Sequence, residues 1–402
     1  MDFTLSEEHR LAQQMVHDFA QREVAPIIKE SDRRQQMGSF ILPRMGELGI
    51  LGICLPVRYG GQGLDYIALG LACEELEAID TSLRVVMSVH VGLNSLGLFQ
   101  WADEGQKQRF LVPQARGEKI ACFGLTESGA GSDVASIHST SRRDGSDYLL
   151  NGEKMWISLA TKADHCLWIA RTNPDAEDPH SGLSAFIVEL DRPGVTRGDI
   201  HQKLGIRAGS TGWIACQDVR IPLENRIGLE GEGFKIAMAC LDIGRYTVAA
   251  GATGLIRACL EASVKYAHTR PAFNREIGQF QLVQQKIAYM VQSYDAARLL
   301  YMRAGWMKNQ GLRNTRETSL AKWFATDASF SAASEAVQIH GAYGYSDEYD
   351  VERYLRNSKG AVIYEGTSEI HTLMQAGYAL GYRTDAPLRC ELPAYDALYW
   401  QT

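Results

Sequence analysis

The sequence predicts an α+β chain of several packed units: an N-terminal α-helical domain, a middle β-barrel or sandwich, and a C-terminal helical domain. Three observations predict it. Apolar residues recur at helical spacing up to about residue 118. From about 120 to 228 the period shifts towards two, with turn residues between short runs. Helical periodicity returns after about 232 and holds to about 380. A chain of 402 residues also exceeds one simple core. The expected boundaries are 1–118, 119–230 and 231–382, followed by a tail over 383–402.

The first unit opens with Thr4 and Glu7, spaced as a capping box. Leu11, Met15 and Phe19 then step along one helix face. Gly60-Gly61-Gln62-Gly63 reads as a turn, with a helix from about Asp65. In the second unit the apolar runs are Leu149-Leu150, Met155-Trp156-Ile157, Cys166 to Ala170, Leu183 to Val188 and Trp213 to Cys216. Asn151-Gly152 and Pro193-Gly194 separate such runs as turns. The third unit is rich in Ala, Leu, Met, Gln and Lys. The tail holds Pro387 and Pro393 and ends in Leu398-Tyr399-Trp400.

Bulk properties narrow the function. A net charge of −7 argues against a nucleic-acid surface. No run reaches the roughly 18 apolar residues of a membrane span. The N-terminus lacks the pattern of a signal or transit peptide. Eight scattered cysteines without CxxC read as reduced thiols of a cytoplasmic protein, with no disulfide frame and no metal site.

Five segments carry chemistry. Gly124 to Asp133 alternates small and hydroxyl residues, which turn donors towards a flat polar ring or a phosphate; a plain turn is the alternative. Asn151 to Ser158 enters a strand bearing Trp156 and Ser158, either a core tryptophan or an aromatic wall beside a ring. Arg270 to Gly278 sets two arginines around a helix break, as caps or as a pyrophosphate grip. Gln338 to Tyr345 breaks a helical segment with glycines. In Tyr364-Glu365-Gly366-Thr367-Ser368-Glu369, Glu365 stands near a helix start, where a structural first-turn acid is the plain reading.

Taken in order, these segments resemble the acyl-CoA dehydrogenase family from Phe3 to about Tyr382, with both family signatures matched at 124–136 and 338–357. The resemblance implies a C-terminal four-helix bundle, a homotetramer built as a dimer of dimers, and FAD held between the β-domain and the bundle. It implies that Phe123, Leu125, Thr126 and Ser132 line the flavin, with Trp156 and Ser158 behind it. Arg270 and Phe273 would contact the pyrophosphate and adenine half. Gln281 and the Gln338–Ala342 loop, including Gly341, would act across the dimer contact. Thr367 and Glu369 would hold the flavin from the other side. Asp242 and Arg245 match the pantetheine and CoA contacts. Ser132, Tyr364 and Gly366 would touch substrate.

The activity implied is α,β-dehydrogenation of a short acyl-CoA to the trans-2-enoyl-CoA. Glu365 would remove the α-proton, and the β-hydride would pass to flavin N5. A bare glutamate of pKa about 4.3 is a poor base for this proton. The resemblance implies an oxyanion hole and a site dried by substrate, which strengthens the base. One subgroup places its base just before the position of Arg245; here that residue is Gly244, which leaves Glu365. An electron-transferring flavoprotein is the implied acceptor.

Arg84 is the only Asp, Glu, Lys or Arg between Thr81 and Trp101. Its expected partner is Glu77 or Glu74, or else a carboxylate on the substrate. Residues 75–88 resemble glutaryl-CoA dehydrogenases, whose matching Arg grips a distal carboxylate with the Glu77 position in its network. Ser346 to Tyr349 and Ile370-His371 share that likeness. Gly341 to Ser346 is instead similar to relatives that oxidise dicarboxylic thioesters, including a benzylsuccinyl-type branch, without decarboxylation. Ala342 departs from the usual second glycine. Other readings are a carrier-protein-bound acyl substrate, a short- or medium-chain monocarboxylic substrate, an acyl-CoA oxidase and an inactive scaffold.

Overall fold

The computed structural model describes residues 4–402; Phe3, where the resemblance begins, lies outside the described residues. Helices occupy the chain up to Ala115, eight strands follow between Ala121 and Ile227, and long helices run from Gly233.

The first helix spans Glu7–Phe19. Ser6, not Thr4, is its cap: the Ser6 hydroxyl accepts from His9 N–H while the His9 ring answers the Ser6 N–H. Its buried face is Ala12, Val16 and Phe19, whereas Leu11 is exposed. The i, i+4, i+7 set packs inward; of the expected face, Phe19 is buried and Met15 packs against the core, and only Leu11 is turned away. The Tyr66–Ile79 helix starts after Asp65, which caps Ala68 N–H.

The helical segment Thr81–Trp101 is long and apolar enough by composition to cross a membrane, against the reading of the sequence alone. It is 94% buried inside the protein and serves as a core helix. It carries a wide π-turn stretch over Met87–Ser95.

The β-domain is one mixed sheet of two four-stranded halves. β6 (Val195–Asp199), β7 (Thr211–Pro222), β3 (Asp147–Ser158) and β2 (Thr140–Asp144) form one. β1 (Ala121–Gly124), β4 (His165–Arg171), β5 (Leu183–Glu189) and β8 (Arg226–Ile227) form the other. The Thr140–Arg171 pair joins β2 to β4. β4 and β5 are buried along nearly their whole length, which is why they read as unbroken apolar runs. Asn151-Gly152 is not a turn. It lies inside β3 at a bulge opposite β7, where a Cβ on Gly152 would overlap Ser139.

The C-terminal unit packs the helices Gly233–Thr269, Gln281–Asn309, Thr315–His340 and Val351–Ala361. Gly341, at φ +61, ends the third of these. The tail does not trail away. It folds back across the molecule and buries Trp400.

Candidate active site

Glu365 sits in the loop between Val351–Ala361 and Ser368–Ala379. Its backbone is left-handed at φ +53, and Gly366 follows at φ +93. A non-glycine residue held there stores strain of about 1–3 kcal/mol, and such positions cluster at functional sites. The helix start lies further on: Thr367 caps Ile370 N–H, so the first-turn acid is Glu369. Glu365 therefore does not serve as a helix-end charge.

Two cations fix this loop through its carbonyls. Arg245 Nε donates to Glu365 O at 3.2 Å, and Lys322 Nζ donates to Gly366 O at 2.7 Å. The Glu365 Oε2 is shut off from solvent and has no hydrogen-bond partner among the described residues. It lies over Gly244, where any Cβ would overlap it. Burial raises the Glu365 pKa to about 7, against the pull of Arg84, Lys322 and Arg245. Burial likewise lowers Lys322 to about 7. His371 Nδ1 meets Ser319 Oγ at 2.8 Å while its Nε2 is also buried and unpartnered. Burial, with Lys322 and Arg245 nearby, pushes His371 down to about 3, so it is neutral at pH 7.

Arg84 is 1% exposed and Glu77 is fully buried. Arg84 Nε donates to Glu77 at 2.6 Å, Nη1 to Ser88 Oγ at 3.0 Å, and Nη2 to the Tyr364 hydroxyl. Glu77 is thus the protein partner. Glu74 is not: it accepts from Tyr294 and Tyr301 and lies 3.4 Å from Arg298. Gly251 makes room for the pair, since a Cβ there would strike Glu77 and Arg84. Through Tyr364, the guanidinium stands one residue from Glu365.

Asp242 joins the same site. It accepts from Arg245 at 3.0 Å and from Thr315 Oγ1 at 2.6 Å. The residues expected at the flavin lie at the end of β1 and on β3. Phe123 and Leu125 are buried, Thr126 is half-buried and Ser132 is exposed. Thr126 O accepts from Met155 N–H, and buried Lys154 donates to Leu125 O and Glu127, tying the loop to the strand. Trp156 stands at a second bulge with φ +61 and is 58% exposed; Ser158 is half-buried two residues on. An indole left open beside a loop of hydroxyls fits a flat polar ring. Phe330, Val362, Ile363, Thr367 and Glu369 line a cleft at the start of the Ser368–Ala379 helix.

Arg270, Phe273, Gln281, Gln338, Gly341 and Ala342 are exposed and gather at the other end of the bundle, where two helices end and one begins. Arg270 lies over the Tyr343 ring at 5.6 Å. No described contact brings this group to Glu365. Sequence reasoning missed Lys322, Ser88 and Gly251. A lone lysine in the apolar run Ser319–Ala325 was the available signal for Lys322.

Models of the acyl-CoA dehydrogenase N-terminal, middle and C-terminal domains match residues 6–118, 122–219 and 231–378. The mitochondrial short-chain specific acyl-CoA dehydrogenase of Mus musculus is 40% identical over 381 residues, covering 94% of this chain and 92% of its own. A chain solved under the description "Electron transferring flavoprotein of Acidaminococcus fermentans" superposes with TM-score 0.92 at 39% identity, covering 94% of this chain and 100% of its own. The glutaryl-coenzyme A dehydrogenase glutaryl-CoA complex superposes with TM-score 0.92 at 36% identity, covering 95% and 98%. The chain belongs to the acyl-CoA dehydrogenase family and is a flavin-dependent oxidoreductase whose cofactor is FAD.

Proposed function

We propose that the protein oxidises a short-chain acyl-CoA to its trans-2-enoyl-CoA, with Glu365 as the base that takes the α-proton. The observation that carries this reading is the Glu365 carboxylate. The residue is half-buried, but its Oε2 is shut off from solvent and unpartnered among the described residues, and burial raises its pKa to about 7. A base poised near the working pH is the requirement for abstracting a weakly acidic proton. Its strained backbone, gripped by Arg245 and Lys322, fixes where the carboxylate points. The 40% identity to a short-chain specific enzyme supports the chain length.

Phe123, Leu125, Thr126, Ser132, Trp156 and Ser158 would hold FAD from one side, with Thr367 and Glu369 on the other. Bound FAD supplies the acceptor for the electrons that leave the β-carbon. Asp242 and Arg245 would hold the pantetheine arm, and Ser132, Tyr364 and Gly366 would meet the acyl end.

Arg270, Phe273, Gln281, Gln338, Gly341 and Ala342 would complete a neighbouring FAD site in a homotetramer. In support, Gln281–Asn309 leaves Leu282, Tyr289, Leu299 and Trp306 exposed along its length, a surface suited to a second copy. An electron-transferring flavoprotein would take the electrons onward. Eight free thiols fit a reducing, cytoplasmic setting.

A finer reading adds a distal carboxylate on the substrate. Arg84 favours it: the guanidinium is joined to Tyr364 and acts on Glu365 more than any other charge. Among the described residues two of its N–H groups remain uncommitted, counting five donors against three bonds. Anaerobic titration of the yellow holoenzyme with butyryl-, glutaryl- and succinyl-CoA tests both readings, with products read by mass spectrometry. Bleaching by butyryl-CoA supports the first. Bleaching by glutaryl-CoA at lower concentration supports the second. Bleaching by no thioester would sink both.

A further inference from the structure

The tail from Thr384 to Thr402 lies beyond the matched family domains, which end at 378. It is anchored at both ends of a strap. Arg389 pairs with Glu232 at 2.8 Å at the start of the Gly233–Thr269 helix. Trp400 is fully buried and packs edge-on against Tyr66, Phe99 and Tyr395 at 5.2–5.6 Å between ring centres. Backbone groups between these anchors are tied in as well. Gln100 donates to Cys390 O at 2.8 Å, Tyr66 to Pro393 O at 2.7 Å, and Tyr395 N–H to Asn309 O at 3.0 Å. A free terminus would not satisfy so many partners.

The middle of the strap faces a cleft. Leu388, Glu391 and Leu392 form one side, and Asp242, Lys308 and Asn314 are on the other. Glu391 is bonded across it to Arg313 at 3.3 Å. Asp242 is the link inward: its partner Arg245 holds the Glu365 carbonyl. The cleft therefore opens one ion pair away from the candidate base. Its lining alternates leucines with amide, hydroxyl and charged groups, which suits a long aliphatic arm interrupted by amides.

We propose that the strap is a specificity element: Leu388, Glu391 and Leu392 wall the passage that the pantetheine arm of the thioester occupies. The inference rests on the thioester reading above. The strap contributes to grip on the arm and leaves proton removal to Glu365. Loss of a contact made equally in ground and transition states raises KM more than it lowers kcat.

The test compares butyryl-CoA with S-butyryl-N-acetylcysteamine, which carries the same acyl group on a shortened arm. Rates are measured on the FAD-loaded full chain and on a chain lacking residues 384–402. Truncation should raise KM for butyryl-CoA about tenfold, equivalent to about 1.4 kcal/mol. KM for the short thioester should stay within about twofold. If the truncated chain fails to hold FAD, a Leu388→Ser, Leu392→Ser double variant takes its place, because it keeps the Arg389 and Trp400 anchors. Equal shifts for both thioesters, or no shift for either, would overturn the inference and leave the strap as a clamp. Bleaching of the wild type with an unchanged KM ratio removes this inference alone; a wild type that neither thioester bleaches removes the thioester reading with it.

Discussion

Gly244 and the Glu365 carboxylate share one space: Oε2 occupies the position that a side chain at 244 would fill. The bare helix surface sets how deep the candidate base sits. Gly244→Ala should push the carboxylate aside. A displacement near 1 Å at the reacting group costs about 100-fold in rate. We expect kcat/KM to fall by that order while the FAD absorbance of the purified protein is retained.

Proton removal needs the carboxylate form. With Glu365 raised to about 7, kcat/KM should climb with pH and level off above about 7. Stability moves the other way. A carboxyl raised from 4.5 stabilises the fold fully below about 4.5, and that contribution is lost as pH rises through 7. Glu365→Gln escapes this loss. Its Tm advantage over wild type should therefore be larger at pH 8 than at pH 5.

Much of this was legible in the chain, and the failures have physical reasons. The helical, β, helical order follows from periodicity, which burial imposes directly. Asn151-Gly152 misled because its turn chemistry is local, whereas pairing with β7 and room beside Ser139 carry the strand through as a bulge. Leu11 misled because a four-residue step drifts around the helix, and the face that meets the core is Ala12, Val16 and Phe19. Arg84 stood out as one charge in an apolar run, and Glu77 as its partner was within reach of spacing. Lys322 was not, because the carbonyl it holds belongs to Gly366, 44 positions away. The strap was equally hidden: nothing in Leu388 to Trp400 names Tyr66 or Asp242 as neighbours.

Lys322 acts as a positioning residue. Lys322→Met removes the grip on Gly366 O and a cation that lowers the Glu365 pKa. The plateau of the pH profile should then move above 7, with kcat reduced about tenfold. A purely structural role would lower Tm and leave the midpoint of the profile in place.

The Arg84–Glu77 pair gives a stability prediction and a specificity prediction. Arg84→Ala leaves Glu77 charged in a fully buried position and should cost roughly 3–5 kcal/mol in denaturant unfolding. Adding Glu77→Gln removes the stranded charge and should recover most of that loss. It should not recover preference for an ω-carboxylate. In the double variant, kcat/KM for glutaryl-CoA relative to butyryl-CoA should stay at least about tenfold below wild type. An unchanged ratio would assign Arg84 to structure alone.

The most direct test of Glu365 as base is anaerobic titration of Glu365→Gln with the thioester that bleaches the wild-type flavin. The amide keeps the shape of the side chain and cannot accept the α-proton. The variant should purify yellow with FAD bound and stay yellow on addition of substrate. Bleaching at the wild-type rate would contradict the assignment.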